Sequence, residues 1–167
     1  MRFAKYRMKK EGLFLFGLFL FVFLSAGVFA ISFNVQNTPC SDTRNIVMKL
    51  SDATNAHGEL FDRTNYNFYL CSDTPASRDC TGSNKILGLS SPTNAHAEIP
   101  SLTSYTTNVC YGDLEYTSTT SASCPDTHIV PILSLSAETN AHIGAFADYG
   151  IKICGKLPLL PPAECTL

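Results

Sequence analysis

The apolar and polar positions of this chain fall into one arrangement written three times. Apolar stretches, Ile46-Val47-Met48, Ile86-Leu87 and Ile132-Leu133, each end two residues before a leucine. Short, rich in β-branched residues and bounded by polar ones, they predict strands. Further along, Tyr66, Phe68 and Leu70 fall at alternate positions, as do Tyr105, Thr107 and Val109, and Tyr149, Ile151 and Ile153. That period of two, with one mostly apolar face, predicts a second strand in each copy and sets Cys71, Cys110 and Cys154 on its opposite face. Beyond residue 33 no segment sustains a 3.6-residue apolar period, so helix is expected only near the N-terminus.

Between these strands stands the motif Leu-Ser-x-x-Thr-Asn-Ala-His, at residues 50–57, 89–96 and 135–142. An active site is needed once, whereas a motif copied at intervals of 39 and 46 residues reads as recurring supersecondary structure. Ser51, Ser90 and Ser136 are expected to cap a tight turn, which Pro92 suits in the second copy. Thr54, Asn55, Thr93, Asn94, Thr139 and Asn140 bond nearby backbone, and Asn tolerates left-handed torsions, so Thr-Asn-Ala predicts a corner. The repeats run approximately over residues 40–71, 80–110 and 124–154. Residues 72–83 and 117–123 read as linkers, and Pro158, Pro161 and Pro162 give the tail an extended course.

Residues 1–30 are sequence of another kind. Arg2, Lys5, Arg7, Lys9 and Lys10 make a basic start, and the 22 residues 12–33 carry no charge. Val28 and Ala30 fit the small-residue pattern of a signal-peptide cleavage site, while roughly 20 apolar residues suffice for a transmembrane helix. Residues 1–30 are therefore expected to be a signal peptide or an N-terminal membrane anchor, with cleavage favoured. Lys9-Lys10-Glu11-Gly12 also resembles a type IV prepilin leader, although no acidic residue follows early in the apolar run. In each case the basic flank stays inside and residues 31–167 end outside.

The exported part holds seven Lys and Arg against thirteen Asp and Glu, a net charge of −6. No basic patch remains to neutralise phosphates, which argues against nucleic acid as a partner. Membrane contact is expected only through residues 12–33, if the leader is retained. At 137 residues this part fits one domain or a short array of very small ones.

All seven cysteines lie after the leader, where an oxidising compartment lets them pair. No Cys-x-x-Cys suggests zinc. Pairing within repeats joins Cys40 to Cys71, Cys80 to Cys110 and Cys124 to Cys154, at separations of 31, 30 and 30 residues. Pairing each strand to the next linker instead joins Cys71 to Cys80, Cys110 to Cys124 and Cys154 to Cys165, at 9, 14 and 11. The constant spacing favours the first, which leaves Cys165 unpaired or free for an intermolecular bond.

Histidine is the most chemically suggestive residue. His57-Gly58-Glu59 and His96-Ala97-Glu98 set an imidazole and a carboxylate on one strand face, whereas the third copy reads His142-Ile143-Gly144. One His with one Glu supplies too few ligands for a protein metal site. The expected role is a half-buried ring holding loop backbone, and no metal or other cofactor is assigned. His57, Glu59, His96, Glu98 and His142 are the metal candidates should packing gather them. The tyrosines read as strand packing rather than as a platform for sugars.

The three motif copies, each followed by a tyrosine strand ending in cysteine, resemble repeats in uncharacterised exported proteins of small-genome archaea over about residues 40–156. The resemblance implies an extracellular surface protein. The third copy departs from it at Gly144 and in its shorter loop before Tyr149. The fold expected is all-β, a disulfide-stapled sandwich or short stacked array behind one N-terminal helix. The function expected is a structural or adhesive cell-surface module, such as an envelope or filament subunit, whose partners are other surface proteins or its own copies. An extracellular metal-binding module is the alternative. No catalysis is expected, since no nucleophile-elbow pattern surrounds any serine and three copies of a catalytic set would be redundant.

Overall fold

The apolar stretches before each motif and the alternating stretches after it pair as antiparallel strands, except that Tyr66, Tyr105 and Tyr149 stand in the loops ahead of the strands they were expected to open. The computed structural model describes residues 31–157, which belong to the compact unit Ile31–Leu167. The expected leader helix over residues 1–30 and Cys165 lie outside the described residues. The first sheet contains β1 (Phe33–Gln36), β2 (Ile46–Leu50), β3 (Gly58–Leu60) and β4 (Phe68–Ser72) in the order β1-β4-β2-β3. The second contains β5 (Lys85–Leu89), β6 (Ala97–Glu98) and β7 (Thr107–Cys110) in the order β6-β5-β7. The third contains β8 (Glu115–Thr119), β9 (Val130–Leu135), β10 (Ile143–Gly144) and β11 (Ile151–Lys156) in the order β10-β9-β11-β8. Among the described residues the one helical element is a 3-10 turn at Thr43–Asn45, and no helix is long and apolar enough to cross a membrane. The class is therefore all-β.

The motif leucine has the same place in every sheet. Leu50 stands opposite Gly58 and Phe68, Leu89 opposite Ala97 and Thr107, and Leu135 opposite Ile143 and Ile151. The register also slips at matching points, between Ile46 and Met48, between Lys85 and Leu87, and on β9 between Pro131 and Leu133. A bulge sets two residues against one. This is why adjacent apolar residues, Val47 with Met48, Ile86 with Leu87 and Ile132 with Leu133, all reach the core.

One strand corrects the linker reading, and a second was not expected. β8 occupies part of residues 117–123, pairing Thr119 with Lys152 through to Glu115 with Lys156, and β1 pairs with β4 from Phe33 to Gln36. An edge strand needs little apolar alternation, because one face and one edge meet water. The Ser/Thr-rich stretch thus gave no strand signal.

Disulfides Cys40–Cys71, Cys80–Cys110 and Cys124–Cys154 tie the last strand of each sheet to the segment ahead of its motif strand. Cys71, Cys110 and Cys154 are buried. Bridges of this kind indicate an oxidising compartment.

The sheets do not stack in a line. Three triplets, residues 56–58, 95–97 and 141–143, meet in a closed ring. Ala56 and Ile143 exchange both backbone hydrogen bonds at 2.9 Å, Gly58 and Ala95 do so at 2.8 and 3.0 Å, and Ala97 and Ala141 at 2.9 Å. Each triplet touches both others through its first and third residues, which are all buried. Small side chains are required here: a Cβ on Gly58 would lie 2.7 Å from the Met48 side chain and 2.9 Å from that of Leu89. Beneath the ring, Leu50, Leu89 and Leu135 join one core with Met48, Leu70, Leu87, Leu133 and Ile153, all without solvent exposure.

Candidate metal centre

Alternation along the ring decides where the histidines go. In each triplet the first and third side chains enter the core, so the middle one, His57, His96 or His142, stands on the outer face. All three therefore rise on one side of the ring. Their backbones are occupied by the motif serines. Ser51 N–H donates to the His57 carbonyl at 3.0 Å, and Ser51 Oγ accepts from the His57 N–H at 2.9 Å. Ser90 with His96 and Ser136 with His142 repeat the pair. The serine hydroxyl thus reaches six residues ahead and closes the motif into a loop, instead of capping a turn over the residues next to it.

Within that loop Asn55, Asn94 and Asn140 take φ of 52°, 49° and 50°. Left-handed backbone is costly for most L-residues, and Asn is among the few that adopt it readily. The corner lets the asparagine side chain reach the histidine of a neighbouring sheet. His57 Nδ1–H donates to Asn94 Oδ1 at 2.6 Å, and His142 Nδ1–H donates to Asn55 Oδ1 at 2.5 Å. Asn140 stands beside the His96 ring and favours its charged form. Two of the three imidazoles are thus oriented by a neighbouring sheet, and the third has the matching asparagine beside it. Tyr66 and Tyr149 donate their hydroxyls to Asn94 and Asn55, at 3.0 and 3.4 Å, further fixing those amides.

With Nδ1 committed as a donor, Nε2 is the free lone pair on His57 and His142. The ring centroids lie 4.6, 5.1 and 5.2 Å apart, and the ligand atoms of the three histidines all fall within 4.8 Å of one another. Zn–N bonds of about 2.0–2.1 Å require nitrogens about 3.4 Å apart in a tetrahedral set. Ring rotation of about an ångström covers the difference. Burial, followed by repulsion from His57 and His142, pushes His96 below its ordinary pKa, against Asn140, which favours the charged ring. The neutral ring thus favoured is also the ligand form.

Glu59 and Glu98 do not join the group. The loop after β3 folds over Glu59, which accepts from the Tyr66 N–H at 3.0 Å, from Asn65 at 3.0 Å and from Thr93 at 3.3 Å. Glu98 accepts from the Tyr105 N–H at 3.1 Å and faces Lys85 at 3.4 Å. Both are fully buried. Sharing a strand face with the histidine was not enough, since each carboxylate is buried beneath its own loop, Glu98 with its Oε2 lacking a hydrogen-bond partner.

The third copy shows the same task done by another residue: Ser134 Oγ accepts from the Tyr149 N–H at 3.0 Å. Ser134 lies directly opposite Gly144, as Gly88 lies opposite Glu98. A Cβ on Gly88 would come within 2.8 Å of the Glu98 carboxylate, so the small residue and the acceptor exchange strands together. Gly144 therefore marks a change in loop anchoring, not the loss of a ligand. His128, outside the motif, contacts Thr127 and is not part of the cluster.

Sequence reasoning named the three histidines but passed over the asparagines that orient them. Their signal was present in three identically placed Asn residues, each two positions before its copy's histidine. The sheet-to-sheet crossing that gives each one its target was not. Comparison with protein-family models, curated proteins and solved structures yields no match, so the site is read from its own residues.

Proposed function

We propose that this chain is an exported, disulfide-stapled module that holds one divalent transition-metal ion between His57, His96 and His142. The observation that carries the reading is the convergence of three imidazoles, two of them oriented by an asparagine from a neighbouring sheet. Metal-ligating histidines commonly donate their second ring nitrogen in this way, which fixes the tautomer and presents the other lone pair. Imidazole donors suit Zn²⁺, Cu²⁺ and Ni²⁺, and affinity rises toward Cu²⁺ along the first row. Within the triplets the third position varies, Gly58 against Ala97 against Ile143, while alanine holds the first and histidine the second in all three.

The basic start and charge-free stretch of residues 1–30, with the three disulfides, support export and an extracellular or cell-surface location. A structural or adhesive surface subunit is the second reading. The outer strands β1, β7 and β8, each paired on one side only among the described residues, favour it, because such edges can pair with another chain. Other surface proteins or further copies are the partners it implies.

The test is calorimetric titration of chelator-treated, oxidised full-length chain with Zn²⁺. One ion per chain is expected, with affinity falling at least tenfold on replacing any one of the three histidines by alanine. Zn²⁺ binding unchanged in the triple His→Ala variant would overturn the metal reading.

A further inference from the structure

We infer that a metal held by the three histidines keeps an open position on its solvent side, and that this position takes a small monoanion such as a carboxylate. This rests on the metal reading above.

Three observations carry it. The ligands come from one side only: the ring triplets lie beneath the histidines, and below them Leu50, Leu89, Leu135 and Ile143 fill the core without solvent exposure. No fourth donor can rise from that floor. Second, no carboxylate or thiolate joins the group among the described residues: Glu59 and Glu98 are fully buried and hold the Tyr66 and Tyr105 N–H groups. Third, the groups hydrogen-bonded to the His57 and His142 rings are the neutral amides of Asn94 and Asn55 and bring no negative charge of their own. A dication on three neutral imidazoles thus retains both charges, with its free coordination site toward water. Three protein ligands plus one exchangeable ligand is also the pattern that separates open zinc sites from closed structural ones.

Cobalt(II) reports directly on such a position, since its visible d–d bands respond to the ligand set. Full-length oxidised chain carrying Cys165→Ser, to remove a possible thiolate ligand, is loaded with Co²⁺ and titrated with azide and then acetate. Saturable change in the bands is expected. By linkage the apparent Co²⁺ affinity should rise about tenfold when the anion is present at roughly ten times its own dissociation constant. Bands that appear but ignore both anions, with an anion-independent Co²⁺ affinity, would overturn the open position and leave the metal site standing. Absence of any bands would overturn the metal reading and this inference with it.

Discussion

At the residue scale, one asparagine does two separable jobs. Asn94 adopts φ of 49° and its Oδ1 holds both His57 and Tyr66. Asn94→Gly keeps the left-handed corner and removes only the acceptor. We expect it to lower Zn²⁺ affinity about 10–100-fold while leaving thermal stability nearly unchanged. Asn94→Ala should lose the same affinity and cost a further 1–2 kcal/mol or so from backbone strain, read as a lower denaturant midpoint. The neighbouring ring position behaves oppositely. Gly58→Ala pushes a methyl toward Met48, Leu89 and Ile143, so a loss of about 1–3 kcal/mol is expected by urea denaturation, as for other overpacked cores. The residue types at these positions were plain in the sequence; the partners that make them necessary belong to other sheets.

At the element scale, the loop from β3 to β4 is anchored by Glu59 and the loop from β10 to β11 by Ser134. Glu59→Ala strands the Tyr66 N–H, while the Asn65 amide keeps its bond to Thr93. A stability loss of about 1–3 kcal/mol is expected, the usual cost of a buried polar group left without its partner. Zn²⁺ affinity should stay close to that of the parent chain, which separates an anchor from a ligand in a single titration. The strands that face the core on both sides of the motif were legible because burial imposes a period. Where the period broke, in the doublets at Val47, Ile86 and Ile132, a bulge supplies the reason. The edge strands β1 and β8 stayed hidden, since pairing at an edge is decided by the neighbouring strand's free backbone groups and not by a pattern in the strand itself.

At the scale of the whole molecule, disulfides and protons set the conditions under which the ring holds. Each bridge closes a loop of about 30 residues, which contributes roughly 3–4 kcal/mol in the chain-entropy model. Full reduction should unfold a chain of this size, seen as collapse of near-ultraviolet circular dichroism. Acid acts on the site itself. The His96 pKa is lowered in the folded chain, so the unfolded chain binds more protons between the two values. The resulting stabilisation is complete above the ordinary histidine value of about 6.5 and is lost as pH falls through the lower folded value. Metal-free protein should therefore show a melting temperature that drops on acidification below that point, with a smaller drop in His96→Ala. Apolar periods of two already mark the all-β class in the sequence, and a motif written three times singles out its histidine. Export was legible only as an expectation from residues 1–30. Only the tertiary structure decided that the three histidines face one another and that Glu59 and Glu98 do not join them. The physical reason is that a motif specifies its own loop, whereas convergence depends on backbone hydrogen bonds between residues about 40 positions apart or more, made where small side chains let three chain segments close into a ring.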